Sequence, residues 1–225
     1  MLEALRVFLT KSIMGSVMNR MRFAIAKFFR DERLLARLSD TQQDIYGDLR
    51  DKTVAVVGNA RSLSQAEFGA YIDQADIVVR INSSPIPDQK SHGQRTTWIA
   101  TSIPLSADVI DARSPQRVLW MTSKRKRLPW TLATSSGFYL HPADQHHRLI
   151  GEMGCLPTTG VLVLDMLRRA PVHAVTIFGF DFFASLSLSG ARTATQVPHD
   201  FATEKKWADQ LFSSDKRFTL MKPKF

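Results

Sequence analysis

Three short segments bring together residues that can hold an anion or move a proton. In Val54-Ala-Val-Val-Gly-Asn59 an apolar run ends in Gly58, which lets backbone approach a ligand closely. Asn59 then adds an amide that both donates and accepts hydrogen bonds. Asn82 holds the equivalent place one strand later, in Arg80-Ile-Asn-Ser-Ser-Pro85, so the two asparagines suit a phosphate or a ribose. In Pro157-Thr-Thr-Gly160 the hydroxyls of Thr158 and Thr159 and the N–H groups around Gly160 fall at a helix start, where the helix dipole favours an anion. In His199-Asp-Phe-Ala-Thr-Glu204 a histidine precedes a helix, and imidazole is well matched to general-base work near neutrality. Glu204 lies in the first turns of that helix, placed to orient the ring or close the cap. Each segment read alone has an ordinary structural explanation: a turn glycine, a Ser/Thr cap, a surface histidine. The first also lacks the GxGxxG spacing of a dinucleotide fingerprint.

The elements that must position these residues follow from the pattern of apolar residues. Thr53–Val57 and Ile77–Ile81 read as buried strands, Thr96–Ala100 and Val118–Met121 as two more. Ser64, with Glu67 three residues on, predicts a capping box and a helix through Gln74. Thr159–Arg169 reads as a helix, Val172–Phe178 as a strand ending at Gly179, Ala202–Phe212 as a last helix and Phe218–Met221 as a short final strand. Strands alternating with helices predict a mostly parallel sheet with helices on both faces, and ligands bind beyond the carboxyl ends of such strands. All three segments fall at that edge.

In order and spacing the segments resemble the motifs of glycosyltransferase family 29, the sialyltransferases. Val54–Pro85 resembles the long motif, with its Val-Val-Gly-Asn core and its later Arg80, Asn82 and Pro85; Pro157–Gly179 resembles the short motif; His199 and Glu204 match the very short motif His-x4-Glu. The resemblance covers residues 53–212. It implies a Rossmann-like fold, the metal-independent variant of the glycosyltransferase A type, acting on a CMP-activated acidic sugar with no cofactor and no metal. It also implies roles: His199 as the catalytic base with Glu204 beside it in the catalytic set, and Gly58, Asn59, Asn82, Thr158, Thr159 and Gly160 around the donor. Animal members join the long and short motifs by a disulfide at positions that match Val54 and Pro171, which this chain lacks. Their His/Tyr-rich motif between the short and very short motifs has no counterpart in Ala184–Pro198. A bacterial member at the cytoplasmic face of a membrane is the expectation, and a glycan or glycolipid hydroxyl the acceptor. No Asp-x-Asp occurs, and the adjacent His146 and His147 do not face one site on a helix.

Composition bounds the rest. The 225 residues, 44% hydrophobic and 23% charged, exclude a disordered or disulfide-stapled chain, and the one cysteine, Cys155, has no intramolecular partner. The net charge of +9 calls for an anionic partner. Residues 1–39 hold eight basic and three acidic residues, interleaved with Phe23, Ile25, Phe28 and Phe29, as in a basic amphipathic helix. Two readings follow: a helix packed on the domain with a solvated basic face, or one lying through residues 1–38 on an anionic membrane, peripheral to its inner face. No apolar run approaches the roughly 20 residues of a membrane span. The expected organisation is therefore a helical segment over 1–39 and a single α/β domain over 52–225. Lys124–Arg127, with little aromatic interleaving, reads as a solvated loop rather than a nucleic-acid site. Beside the sugar transferase stand two other functions: a nucleotide-binding protein of the same fold without turnover, and a membrane-bound interaction protein.

Overall fold

Val54 and Val56 point to one side of the sheet, Ala55 and Val57 to the other, and all four are buried because helices cover both faces. The computed structural model describes residues 19–181 and 199–223. Its seven strands are β1 (Thr53–Val57), β2 (Ile77–Ile81), β3 (Trp98–Thr101), β4 (Arg117–Trp120), β5 (Phe138–Leu140), β6 (Ala174–Phe178) and β7 (Phe218–Leu220). They form one sheet in the order β5-β4-β3-β2-β1-β6-β7, parallel throughout. Val56 lies opposite Val79 of β2 and Ile177 of β6. The order reverses between β1 and β6, which makes that gap the switch point where a ligand crevice forms.

The helices are α1 (Arg20–Phe29), α2 (Glu32–Ala36), α3 (Gln42–Leu49), α4 (Gly69–Gln74), α5 (Gln89–His92), α6 (Ala107–Asp111), α7 (Trp130–Ala133), α8 (Ala143–Met153), α9 (Thr159–Arg169) and α10 (Phe201–Ser214). One face of the sheet packs against α3, α8, α9 and α10. The other carries α4 at the β1–β2 end, and α1, α2 and α7 at the β4–β5 end. Phe23, Ala26 and Leu35 enter the same cluster as Trp120 and Phe138, so the first described helices share the core of the sheet. Fully buried Asp165 of α9 accepts from Arg148 of α8 and from Arg168 and Arg169 of its own helix. Trp207 of α10 donates to Glu152 of α8, 2.9 Å. These bonds fix the three helices relative to one another. No helix among the described residues is long and apolar enough to cross a membrane.

Two expectations change. The helix foreseen from Ser64 to Gln74 is instead a 310 turn, Arg61–Gln65, followed by α4, and Phe68 caps α4 with no side-chain bond. Leu63 and Phe68 both turn onto Phe178, yet residues five apart on one helix lie on different sides, so the chain breaks between them. The basic run is also no solvated loop. Arg125 is buried in a 310 turn, where its guanidinium donates to both oxygens of Glu32 and to the carbonyls of Thr122 and His141. Its neighbours Lys124, Lys126 and Arg127 are exposed. Arg125→Ala leaves those acceptors unpaired and is expected to cost about 2–4 kcal/mol. Lys126→Ala should cost less than about 0.5 kcal/mol. Urea unfolding of both variants checks the contrast, and equal midpoints would contradict the buried fork.

Candidate active site

At the carboxyl edge of the sheet, β1 and β6 end in glycines that let their loops touch. A Cβ on Gly58 would overlap the carbonyl oxygen of Gly179, and Gly179 itself has φ +67°. The ring of Phe180 fills the space beside both Gly58 and Gly160: a Cβ on Gly160 would lie 2.5 Å from its Cε1. Three elements named from the sequence, the ends of β1 and β6 and the start of α9, thus meet around one ring. Helix α9 begins at this edge because a helix leading into a parallel strand runs antiparallel to it.

The two asparagines lash neighbouring strand ends together. Asn59 Nδ2 donates to the Ile81 carbonyl at 3.1 Å, tying β1 to β2. Asn82, in the left-handed region at φ 55°, accepts at its side-chain oxygen from the Thr101 hydroxyl and the Ser102 N–H, both at 3.2 Å, tying β2 to β3. Ser62 Oγ donates to Asp181 at 3.4 Å and joins the turn after β1 to the loop after β6.

Thr158 caps α9: its hydroxyl accepts from the Val161 N–H at 3.4 Å. The same hydroxyl donates to Glu204 Oε2 at 2.9 Å, and the Thr158 N–H donates to Glu204 Oε1 at 2.6 Å. By helix geometry the N–H groups of Thr159 and Gly160 have no intrahelical acceptor, the arrangement that suits an anion. Glu204 therefore does not orient His199. It spans 46 residues of sequence to hold the start of α9 against the start of α10. Burial drives its carboxyl up to about 7, with the nearby Asp200 charge adding to the rise, although both bonds from Thr158 favour the ionised form. Asp200 caps α10 through the Thr203 N–H at 3.0 Å. Cys155 sits against Asp200 and Glu204; burial and those two carboxylates push its thiol up, away from a nucleophilic thiolate.

His199 is anchored separately. Its Nδ1 lies 2.8 Å from the carbonyl oxygen of Leu156. A carbonyl only accepts, so Nδ1 carries a proton, and in the neutral ring the lone pair falls on Nε2. Leu156 stands two residues before Thr158, so His199 and Glu204 clasp the same loop at two points. The segment Ala184–Pro198, expected to lack the His/Tyr-rich motif, lies outside the described residues. Among the described residues no group of three His, Cys, Asp or Glu side chains is placed to hold a metal ion.

A doubly wound parallel sheet with a helix start at its switch point is an architecture found in nucleotide-binding α/β proteins. Within that class the chain belongs to glycosyltransferase family 29, the sialyltransferases, which its residues 19–136 match. The protein is a glycosyltransferase. The match begins at Asn19 and so takes in α1–α3, which the resemblance drawn from motifs left out. A search of curated proteins found no match. Among solved structures, a mammalian sialyltransferase in complex with Gal-beta-1-3GalNAc-ortho-nitrophenol shares 18% identity over 92% of this chain and 80% of its own, with a TM-score of 0.64. A second mammalian sialyltransferase structure, 18% identical, covers 84% of each chain with a TM-score of 0.60. The sialyltransferase CstII from Campylobacter jejuni, in complex with the substrate analogue CMP-3FNeuAc, shares 13% identity over 76% of this chain and 82% of its own, with a TM-score of 0.55. At these identities the likeness is one of fold.

Glu204 gives the site a stability signature. Its folded pKa of about 7 lies above the ordinary 4.5, so the folded state keeps the proton to higher pH than the unfolded chain. The group's contribution to stability is complete below about pH 4.5 and declines as pH rises through about 7. Glu204→Gln should flatten that decline. Chemical unfolding of both proteins at pH 5 and pH 7.5 checks it, and equal losses in the two would contradict the buried carboxylate.

Proposed function

We propose that the protein transfers a CMP-activated acidic sugar, sialic acid or a related nonulosonic acid, with inversion to a hydroxyl of a glycan or glycolipid at the cytoplasmic face of a membrane. The observation that carries this reading is the 2.8 Å approach of His199 Nδ1 to the carbonyl oxygen of Leu156, three residues before α9 begins, which in the neutral ring leaves the lone pair on Nε2. In the transfer, the acceptor hydroxyl gives its proton to Nε2 while its oxygen bonds to the anomeric carbon. The bond from that carbon to the CMP phosphate oxygen breaks, and CMP leaves with the electron pair. Charge grows on that phosphate, and the Thr159 and Gly160 N–H groups at the α9 dipole are suited to hold it. Gly58, Asn59 and Asn82 line the same edge and suit the nucleoside part of the donor. CMP is itself a good leaving group, so the reaction is expected to proceed without a metal. The CMP-3FNeuAc complex of the similar CstII fold supports the choice of nucleotide.

CMP at a hundredfold over its Kd should stabilise the protein by about 2.7 kcal/mol, in EDTA as well as in magnesium. UDP and GDP should do much less, and equal shifts from all three would refute the donor. His199→Ala should lose roughly 10²–10⁴-fold in turnover, measured as CMP release with a lipid-linked acceptor, at unchanged CMP affinity. Undiminished turnover in that variant would remove His199 as the base. A wild type that binds CMP yet transfers nothing across a broad donor and acceptor panel would be a nucleotide binder of this fold.

A further inference from the structure

Helix α1 buries one side and, among the described residues, leaves the other uncovered. Phe23 and Ala26 enter the core, while Met21, Ile25, Phe28 and Phe29 are 67%, 49%, 64% and 73% exposed. These four sit at spacings of four, three and one, so they form one stripe along the helix. They are four of the seven large apolar side chains exposed among the described residues, gathered on a single ten-residue helix. The rings of Phe28 and Phe29 pack edge to face at 5.1 Å.

The charge around this stripe is equally concentrated. Residues 19–37 and 124–127 together hold ten lysines and arginines against Asp31 and Glu32, a balance of +8 within a chain whose total is +9. Both carboxylates are engaged: Asp31 caps α2 through the Leu34 N–H and Glu32 is bound by Arg125. The fork of Arg125 also fixes the basic turn beside α1, where Lys126 Nζ stands 4.8 Å from the Phe28 ring centre. An apolar stripe rimmed by exposed cations matches the two layers of an anionic bilayer, acyl chains beneath phosphate headgroups. A nucleic acid would use the cations but leave Met21 and Ile25 without a role.

We propose that α1 and the turn Lys124–Arg127 form a docking surface for an anionic phospholipid bilayer, with Met21, Ile25, Phe28 and Phe29 entering the interface and the cations meeting headgroups. The inference stands on exposure and charge and is independent of the donor assigned above. Its position serves the enzyme. The basic turn follows the carboxyl end of β4, on the edge that carries Gly58 and the start of α9, three strand spacings or roughly 14 Å from β1. Docking brings that edge near the lipid surface, where a lipid-anchored acceptor presents its sugar.

Flotation of the full chain with phosphatidylglycerol–phosphatidylcholine vesicles, without donor or acceptor, tests it. The protein should float with these vesicles and not with pure phosphatidylcholine, and binding should weaken between 0.1 and 0.5 M NaCl. The double variant Phe28→Gln, Phe29→Gln should bind at least tenfold more weakly, as should Lys124→Gln, Lys126→Gln, Arg127→Gln. Both sets change exposed side chains and keep Arg125, so their urea midpoints should match the wild type. Wild-type flotation in the Phe28, Phe29 variant would overturn the proposal. So would retention on single-stranded oligonucleotides with no vesicle binding, or a dimer in solution that the same variant dissolves.

Discussion

Glu204 takes a carboxylate to a place where burial penalises its charge, and what it meets there is the N–H and hydroxyl of Thr158. The rest of the site depends on that meeting. Thr158 starts α9 and Glu204 lies in the first turn of α10, so the pair sets where two helix starts stand relative to each other. Both start at the sheet edge on which β1 and β6 end. His199, one residue ahead of the α10 cap, is then close enough to reach Leu156 across the same loop. A hydrogen bond from Nδ1 to a main-chain carbonyl both aims an imidazole and chooses its tautomer. The bodies of the helices hold the geometry from behind, through Asp165 with its three arginines and through Trp207 on Glu152.

Much of this frame was legible in the sequence, for local reasons. Thr53–Val57, Ile77–Ile81 and Thr159–Arg169 have the bounds foreseen, because an unbroken apolar run means a strand buried on both faces and because a threonine cap and two terminal arginines mark a helix. What escaped depends on partners distant in sequence. Phe138–Leu140 is a three-residue strand whose pairing with β4 no local pattern announces. Arg125 looks like its exposed neighbours until Glu32, 93 residues away, is seen beside it. Glu204 was read as orienting its nearest histidine or closing its own helix cap, whereas its bonds run to Thr158. One miss had a local signal: Thr41 and Asp44 form a capping box at the start of α3, with Ile45 and Leu49 buried one turn apart.

On the proposed reading the fold separates two tasks. The carboxyl edge between β1 and β6 is built by close backbone approach, with glycines where side chains would collide and one aromatic ring filling the gap. The β4–β5 end carries almost the whole net charge and an exposed apolar helix face on the same molecule. A parallel sheet allows both, because every strand ends on one edge and chemistry and location can be placed side by side along it. Family membership settles that the protein is a glycosyltransferase, but the matched residues stop before α9. The proposed base, His199, is therefore argued from its geometry.

That geometry has a direct spectroscopic readout. Long-range proton–nitrogen correlation of the six imidazoles, with His199 assigned by its loss in His199→Gln, reports which ring nitrogen carries the proton. The account predicts the Nδ1–H tautomer at neutral pH, retained when CMP is added, with Nε2 in the chemical-shift range of a bare nitrogen. An Nε2–H tautomer, or rapid averaging between the two, would contradict the anchoring by Leu156 and with it the role of His199 as the base.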